Sequence, residues 1–223
     1  MLFCCCYPVY NGIVYPLNTS GLFMNTSVSE LENALRLLSG HLRLLNAAPI
    51  HLVVCGGAAM LAWELISRPT QDVDIVAFLD ETGNLVAPAP FPDVLANAAT
   101  SVAKTLELPL DWLNNAASRD DAGLFQRGLP EGLQSRLIRR DYGDHVHAYF
   151  ISRLDQIHFK LLAAVNVGGR HLTDLMQLNP NSVELEQAAR WTVLRDNSEP
   201  FIHSLKSVLE SLGYVGIAER IQG

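Results

Sequence analysis

No apolar run in this 223-residue sequence is long enough to cross a bilayer; the longest, residues 52–63, holds two glycines and is ended by Glu64. Runs of lysine and arginine are also missing, and the net charge is −7. That balance excludes a general nucleic-acid coat, while leaving room for a small basic groove that holds one RNA end. Cysteine is scarce: Cys4, Cys5 and Cys6 are contiguous, and Cys55 falls in an expected buried strand. The spacing fits neither a disulfide framework nor a Cys-x-x-Cys metal site, so a reducing cytoplasm is the expected location. Charge is absent from residues 1–23, which therefore lack the basic start of a secretory signal. Two readings of that stretch stay open. Either it is an upstream extension and Met24 is the natural start, or it is an ordered arm over an apolar groove. Internal repeats, low-complexity tracts and a G-x-S-x-G nucleophile motif are likewise lacking.

What is present suits a folded domain. Hydrophobic residues make up 49% and charged residues 17%, which excludes a largely disordered chain. The length suits one domain, or one domain with a helical appendage, burying roughly 70% of the unfolded surface. From Ser27 or Ser29 to Asn46, Leu31, Ala34, Leu35, Leu38, Leu42 and Leu45 recur at helical spacing. "IHLVVC" reads as a buried strand, Gly56-Gly57 as a tight turn, "AAMLAWELI" as a helix ending near Ser67, and "DVDIVAF" as a second strand. A helix over 93–106, a third strand "LPLDWL" and a loop over 114–130 follow. "LQSRLIRRD" and "HVHAYFIS" form an expected hairpin around Tyr142-Gly143-Asp144, and from Ser152 onward the chain reads as all-helical.

The chemistry concentrates in "GGAAMLAWELISRPTQDVDIVAF", residues 56–78. Side chains alternate on a strand, so Asp72 and Asp74 share one face and Val73 and Ile75 the other. Two like charges placed that way are costly unless a cation sits between them. Mg²⁺ suits such a pair, because it takes a few carboxylates and completes its shell with substrate phosphate oxygens. The Gly56-Gly57 turn, leading into a helix, can bring backbone N–H groups close to a phosphate. Either motif alone is weak. The order strand, Gly-Gly, helix, R-x-T-x-D-x-D, strand is far more specific.

In this order the sequence resembles the nucleotidyltransferase superfamily with the DNA polymerase β-like fold, and within it the minimal and AbiEii-type members, including toxin-like and uncharacterised bacterial ones. A second stretch, "LDQIHFKLLAAVNVGGRHLTDLMQL", is similar to the helical segment of those families, and the likeness covers roughly 50–178. The resemblance implies an α/β (α+β) fold: a mixed sheet flanked by helices over 24–151, with a helical C-terminal half over 152–223. It implies that Asp72 and Asp74 ligate Mg²⁺ (or Mn²⁺), that Gly56 and Gly57 cradle a nucleoside triphosphate, and that Lys160 reaches its phosphates. Asp174 would be a late acidic site residue, and Asp111 the candidate for a third metal-binding carboxylate. The implied reaction moves a nucleotide to a hydroxyl of RNA, such as tRNA, or of protein, as in the toxin of a toxin–antitoxin pair, with an antitoxin as partner. Many active relatives carry serine after the first glycine, where this chain has Gly57.

Other readings of these residues stay open. A catalytically degenerate member would bind or regulate instead, and a small-molecule nucleotidyltransferase would need an acidic acceptor pocket. Asp111 can equally be a strand-end residue beside a packed Trp112. Arg68 can hold phosphate or pair with a site aspartate; Thr70 stands beside it in the same motif. Lys160 can snorkel at a rim, and Arg170 and Asp174 can form an ordinary helix pair. His145-x-His147 has metal-ligand spacing without an evident third ligand. His158 reads as structural, and Trp63, Trp112 and Trp191 read as core. Arg136, Arg139 and Arg140 form the single basic cluster, either a phosphate contact or a solvated strand.

Overall fold

The computed structural model describes residues 28–66, 68, 70, 72–119 and 123–222. The expectations for residues 1–23 and for a start at Met24 lie outside them. Helix α1 (Val28–Leu44) buries Leu31, Ala34, Leu35, Leu38 and Leu42, the stripe that the helical period requires. Each of the fully buried leucines contributes about 2 kcal/mol of apolar burial.

Strand β1 (Ile50–Cys55) is central in a mixed sheet. On one side it pairs antiparallel with β2 (Val73–Leu79), and on the other parallel with β6 (Val146–Phe150). Two short strands, β3 (Leu85–Val86) and β4 (Leu113–Asn114), both pair with β2, antiparallel and parallel respectively. Strand β5 (Ile138–Asp141) closes the far edge beside β6 as the expected hairpin. Of the expected strand "LPLDWL" only Leu113 joins the sheet, together with the following Asn114; Asp111 and Trp112 are in the turn before it.

Between β1 and β2 the register slips: Val53 faces Ala77, whereas Val54 faces Ile75. Val76 is the extra residue of a bulge, and Ile75, Val76 and Ala77 are all buried. Helix α2 (Gly56–Ala62) is shorter than the expected helix to Ser67. It stops because Trp63 donates its indole N–H to the Ile151 carbonyl and Glu64 takes a left-handed φ of 57°. Helix α3 (Asp93–Leu106) packs on α1, and the short α4 (Leu124–Arg127) follows in the expected loop region.

The C-terminal half is helical: α5 (Arg153–Asn166), α6 (Arg170–Leu178), α7 (Ser182–Val193), α8 (Glu199–Ser211) and α9 (Val215–Arg220). Capping boxes at Ser152/Asp155 and Asn181/Glu184 begin α5 and α7. Helix α5 serves two apolar clusters. Phe159 and Leu162 join the core beneath the sheet, while Ile157 and Leu161 join the core formed with α6, α7, α8 and α9. Among the described residues no helix is long and apolar enough to cross a membrane.

Candidate functional site

Antiparallel pairing of β1 with β2 brings the end of one strand to the start of the other. Cys55, the last residue of β1, faces Asp74. Gly56 and Gly57, expected as a tight turn, are instead the first residues of α2, directly after Cys55, and lie against Asp74 and Thr70. Gly56 has φ +69°, and a Cβ there would fall on the Asp74 carboxylate. At Gly57 a Cβ would meet the Thr70 hydroxyl oxygen at 2.6 Å. The glycines are required by close approach, and the space that a residue-57 side chain would need is filled by Thr70. Its hydroxyl donates at 3.3 Å to the backbone and side-chain oxygens of Asp72.

Asp74 sits in an unfavourable field. Burial, and then the Asp72 carboxylate, push its pKa up to about 6; Asn114, Lys160 and Arg170 pull weakly the other way. Asn114 pairs with Asp74 across β4 and β2. The place beside Asp74 on that strand is thus held by an amide. Asp111 is three residues earlier, exposed, on an open depression it shares with Phe91 and Arg119. β4 is only two residues long, and its parallel register sets Asn114, not Asp111, opposite Asp74; Asp111 shares the depression with Asn114, whose amide donates to the Asp111 carbonyl at 3.3 Å. Among the described residues no three acidic, histidine or cysteine side chains are grouped to hold a metal.

Asp174 is the opposite case. It is 1% exposed, yet Lys160 donates to it at 2.7 Å and Arg68 binds both its oxygens at 2.6 and 2.8 Å. Burial alone would raise its pKa; the hydrogen bonds from Arg68 and Lys160 hold it below the usual carboxylate range. Asp174 is therefore a buried anchor for two cations. Lys160 is 8% exposed and does not snorkel at a rim. The ion pairs of Asp174 are with Arg68 and Lys160 and not with Arg170, which is exposed and adds a weak attraction to the Asp74 charge. Arg68 takes its structural role, linking the Thr70 turn to α6.

Three further residues complete the surroundings, and none was singled out from sequence. Gln156 is fully buried, and its amide donates to the Gly56 carbonyl at 3.2 Å, while its own oxygen has no partner among the described residues. It stands one helical turn before Lys160 on α5, so both reach the same side. A buried amide four residues from a buried lysine was the available signal. Asn114 had none, because its role depends on a tertiary register. His171 lies near Lys160, Arg170 and Asp174; burial, then Lys160, lower its pKa, and its Nδ1 is buried without a partner among the described residues. Burial also pushes the Cys55 thiol up, with the Asp74 charge acting in the same direction, which leaves it protonated.

The remaining candidates are dispersed. His147 bonds Asp141 at 2.6 Å, and the buried His145 Nδ1 has no partner among the described residues, so the pair does not converge as ligands. Arg136 pairs with Asp155, Arg139 with Asp141, and Arg140 donates to the Ala62 carbonyl. The basic cluster of the sequence is thus spent on three separate contacts. Trp112 and Trp191 are buried, and Trp63 is half-buried.

The donor set suits one hard cation. Asp72, Asp74 and the Thr70 hydroxyl offer only oxygen, and the repulsion that raises Asp74 is what a divalent ion between the carboxylates would relieve. No known protein family matches the chain, and no curated protein or solved structure is significantly similar to it.

Proposed function

We propose that the chain binds a nucleoside triphosphate with one Mg²⁺ and transfers its nucleotidyl group to a hydroxyl of RNA or protein. The observation that carries this reading is the pair Asp72/Asp74 beside the Gly-Gly start of α2, whose backbone can approach phosphate. Asp72 and Asp74 would hold the ion, which supplies positive charge to the α-phosphate oxygens when bound. Gly56 and Gly57, without side chains, let Asp74 and Thr70 close on the backbone that would receive the phosphates. Lys160, held by Asp174, and the exposed Arg170 both add positive potential at Asp74. The acceptor oxygen forms a bond to the α-phosphorus, the bond to the β-phosphate oxygen breaks, pyrophosphate leaves, and the hydroxyl proton passes to solvent.

A second reading is favoured by Asn114. With an amide where active relatives are expected to place a third carboxylate, a second metal lacks a ligand, and the fold would serve binding or regulation.

Calorimetric titration of the four nucleoside triphosphates, with and without Mg²⁺, tests the proposal. Binding should require Mg²⁺ and vanish in Asp72→Ala/Asp74→Ala. A folded wild type that binds none of them overturns both the nucleotide site and the transferase. Mg²⁺-dependent binding without label transfer to tRNA or protein supports the second reading.

A further inference from the structure

On the other side of α5 lies a cavity of about 530 Å³, bounded by α7, the start of α5 and residues 129–136. His158 lines it, whereas Lys160, two residues on and so about 200° around the helix, serves the aspartate site. The volume is in the range of small-molecule sites and far beyond a single ion.

Two groups in its wall have unspent capacity. The Arg195 guanidinium stacks on Trp191, 4.3 Å from the ring centroid, and is fixed by the carbonyls of Gly128 at 2.6 Å and Trp191 at 3.1 Å. It has no carboxylate partner among the described residues. By contrast, its neighbours in the wall, Arg136 and Arg190, are paired with Asp155 and Glu186. The fixed charge thus lacks a counter-ion. Trp191 is 7% exposed, and its ring forms the wall on which that guanidinium lies. His158, also in the wall, sets its Nδ1 at 2.7 Å from the Leu154 carbonyl. A carbonyl only accepts, so Nδ1 carries the proton and Nε2 is left as an acceptor. Burial lowers the His158 pKa and keeps the ring neutral. Leu129, Leu154 and the exposed Leu194 supply apolar wall.

We infer that this cavity binds a small organic acid: its anionic group meets Arg195, an N–H or O–H of the ligand donates to His158 Nε2, and an apolar body lies on the Trp191 ring and the leucines. The inference is independent of the nucleotide site.

The test uses the full chain and 8-anilinonaphthalene-1-sulfonate, which carries a sulfonate, an N–H and an aromatic body, against its neutral analogue N-phenyl-1-naphthylamine. With ¹⁵N-labelled tryptophan, saturating one equivalent of the sulfonate should move the Trp191 indole resonance and leave Trp63 and Trp112 in place. The neutral analogue should bind at least tenfold more weakly. Arg195→Met should lower sulfonate affinity at least tenfold and leave the neutral probe within twofold. Because Arg195 also anchors Gly128, Glu131→Gln provides a second variant at the exposed rim. It removes the one carboxylate in the wall and should tighten the sulfonate about twofold. Equal affinity for the two probes, shifts spread over all three indoles, or sulfonate affinity unmoved by both variants overturns the inference.

Discussion

Two carboxylate regions lie on either side of Lys160, and the molecule treats them oppositely. At the sheet end, Asp74 is half-buried beside Asp72 with no ion pair among the described residues, and its pKa rises to about 6. Between α5 and α6, Asp174 is buried more completely but receives Arg68 and Lys160, and its pKa falls. Burial is similar in kind, and the partners decide the sign. A carboxylate with its charge satisfied is architecture. A carboxylate left short of positive charge is a place where an absent cation is expected to act.

The largest way to break this contrast is Asp174→Ala. It removes the carboxylate that Lys160 and Arg68 share and leaves the buried Lys160 short of counter-charge, so urea denaturation at pH 7 should show a loss of about 3–5 kcal/mol. Its stabilising effect should be present above the ordinary carboxylate pKa and fade as pH falls through the lowered folded value. Replacing Lys160 and Asp174 together by Met and Leu should recover most of the loss, since the pair is costly to bury. A double variant as unstable as Asp174→Ala would contradict the anchor role.

Asp74→Asn should act in the opposite direction. A folded pKa raised to about 6 means that the folded state holds the proton more tightly, so wild-type stability is full below pH 4 and falls as pH rises through 6. The variant should therefore gain up to about 3 kcal/mol at pH 8 and nothing at pH 4. Denaturation curves at the two pH values measure this; an equal gain at both would assign it to packing. Asp74→Asn should also abolish the Mg²⁺ dependence of nucleotide binding.

The smallest expected effect sharpens the geometry beneath the comparison. Gly57→Ser places a Cβ 2.6 Å from the Thr70 hydroxyl and should cost about 1–3 kcal/mol. Thr70→Ala in the same chain should restore part of it. Thermal melts of the single and double variants decide whether the two residues compete for one space.

Much of this region was legible in the sequence, because local rules govern it. Alternation over "DVDIVAF", the Gly-Gly pair after "IHLVVC" and the spacing to Asp72 fix which residues meet at the sheet end. What escaped depends on distant partners. Asp174 is read as an acid of the site until Arg68, far away in sequence, is seen to clamp it. That Asn114 and not Asp111 stands opposite Asp74 is set by the register of a two-residue strand, which no local pattern encodes. The end of α2 was misjudged because Trp63 answers to the Ile151 carbonyl and not to its own helix. The bulge at Val76 was invisible for the same reason: an apolar residue fits either count of the strand.

The double service of α5 bears on how the halves can be separated. A boundary at residue 152 divides the sequence by its secondary structure, but one helix supplies Phe159 to the sheet side and Leu161 to the helical side. Gln156 and Lys160, from that same helix, hold the Gly56 carbonyl and Asp174. Melting the C-terminal bundle would withdraw a wall of the sheet's core and release the aspartate site in the same event. The two halves are distinct in appearance and a single cooperative unit in unfolding.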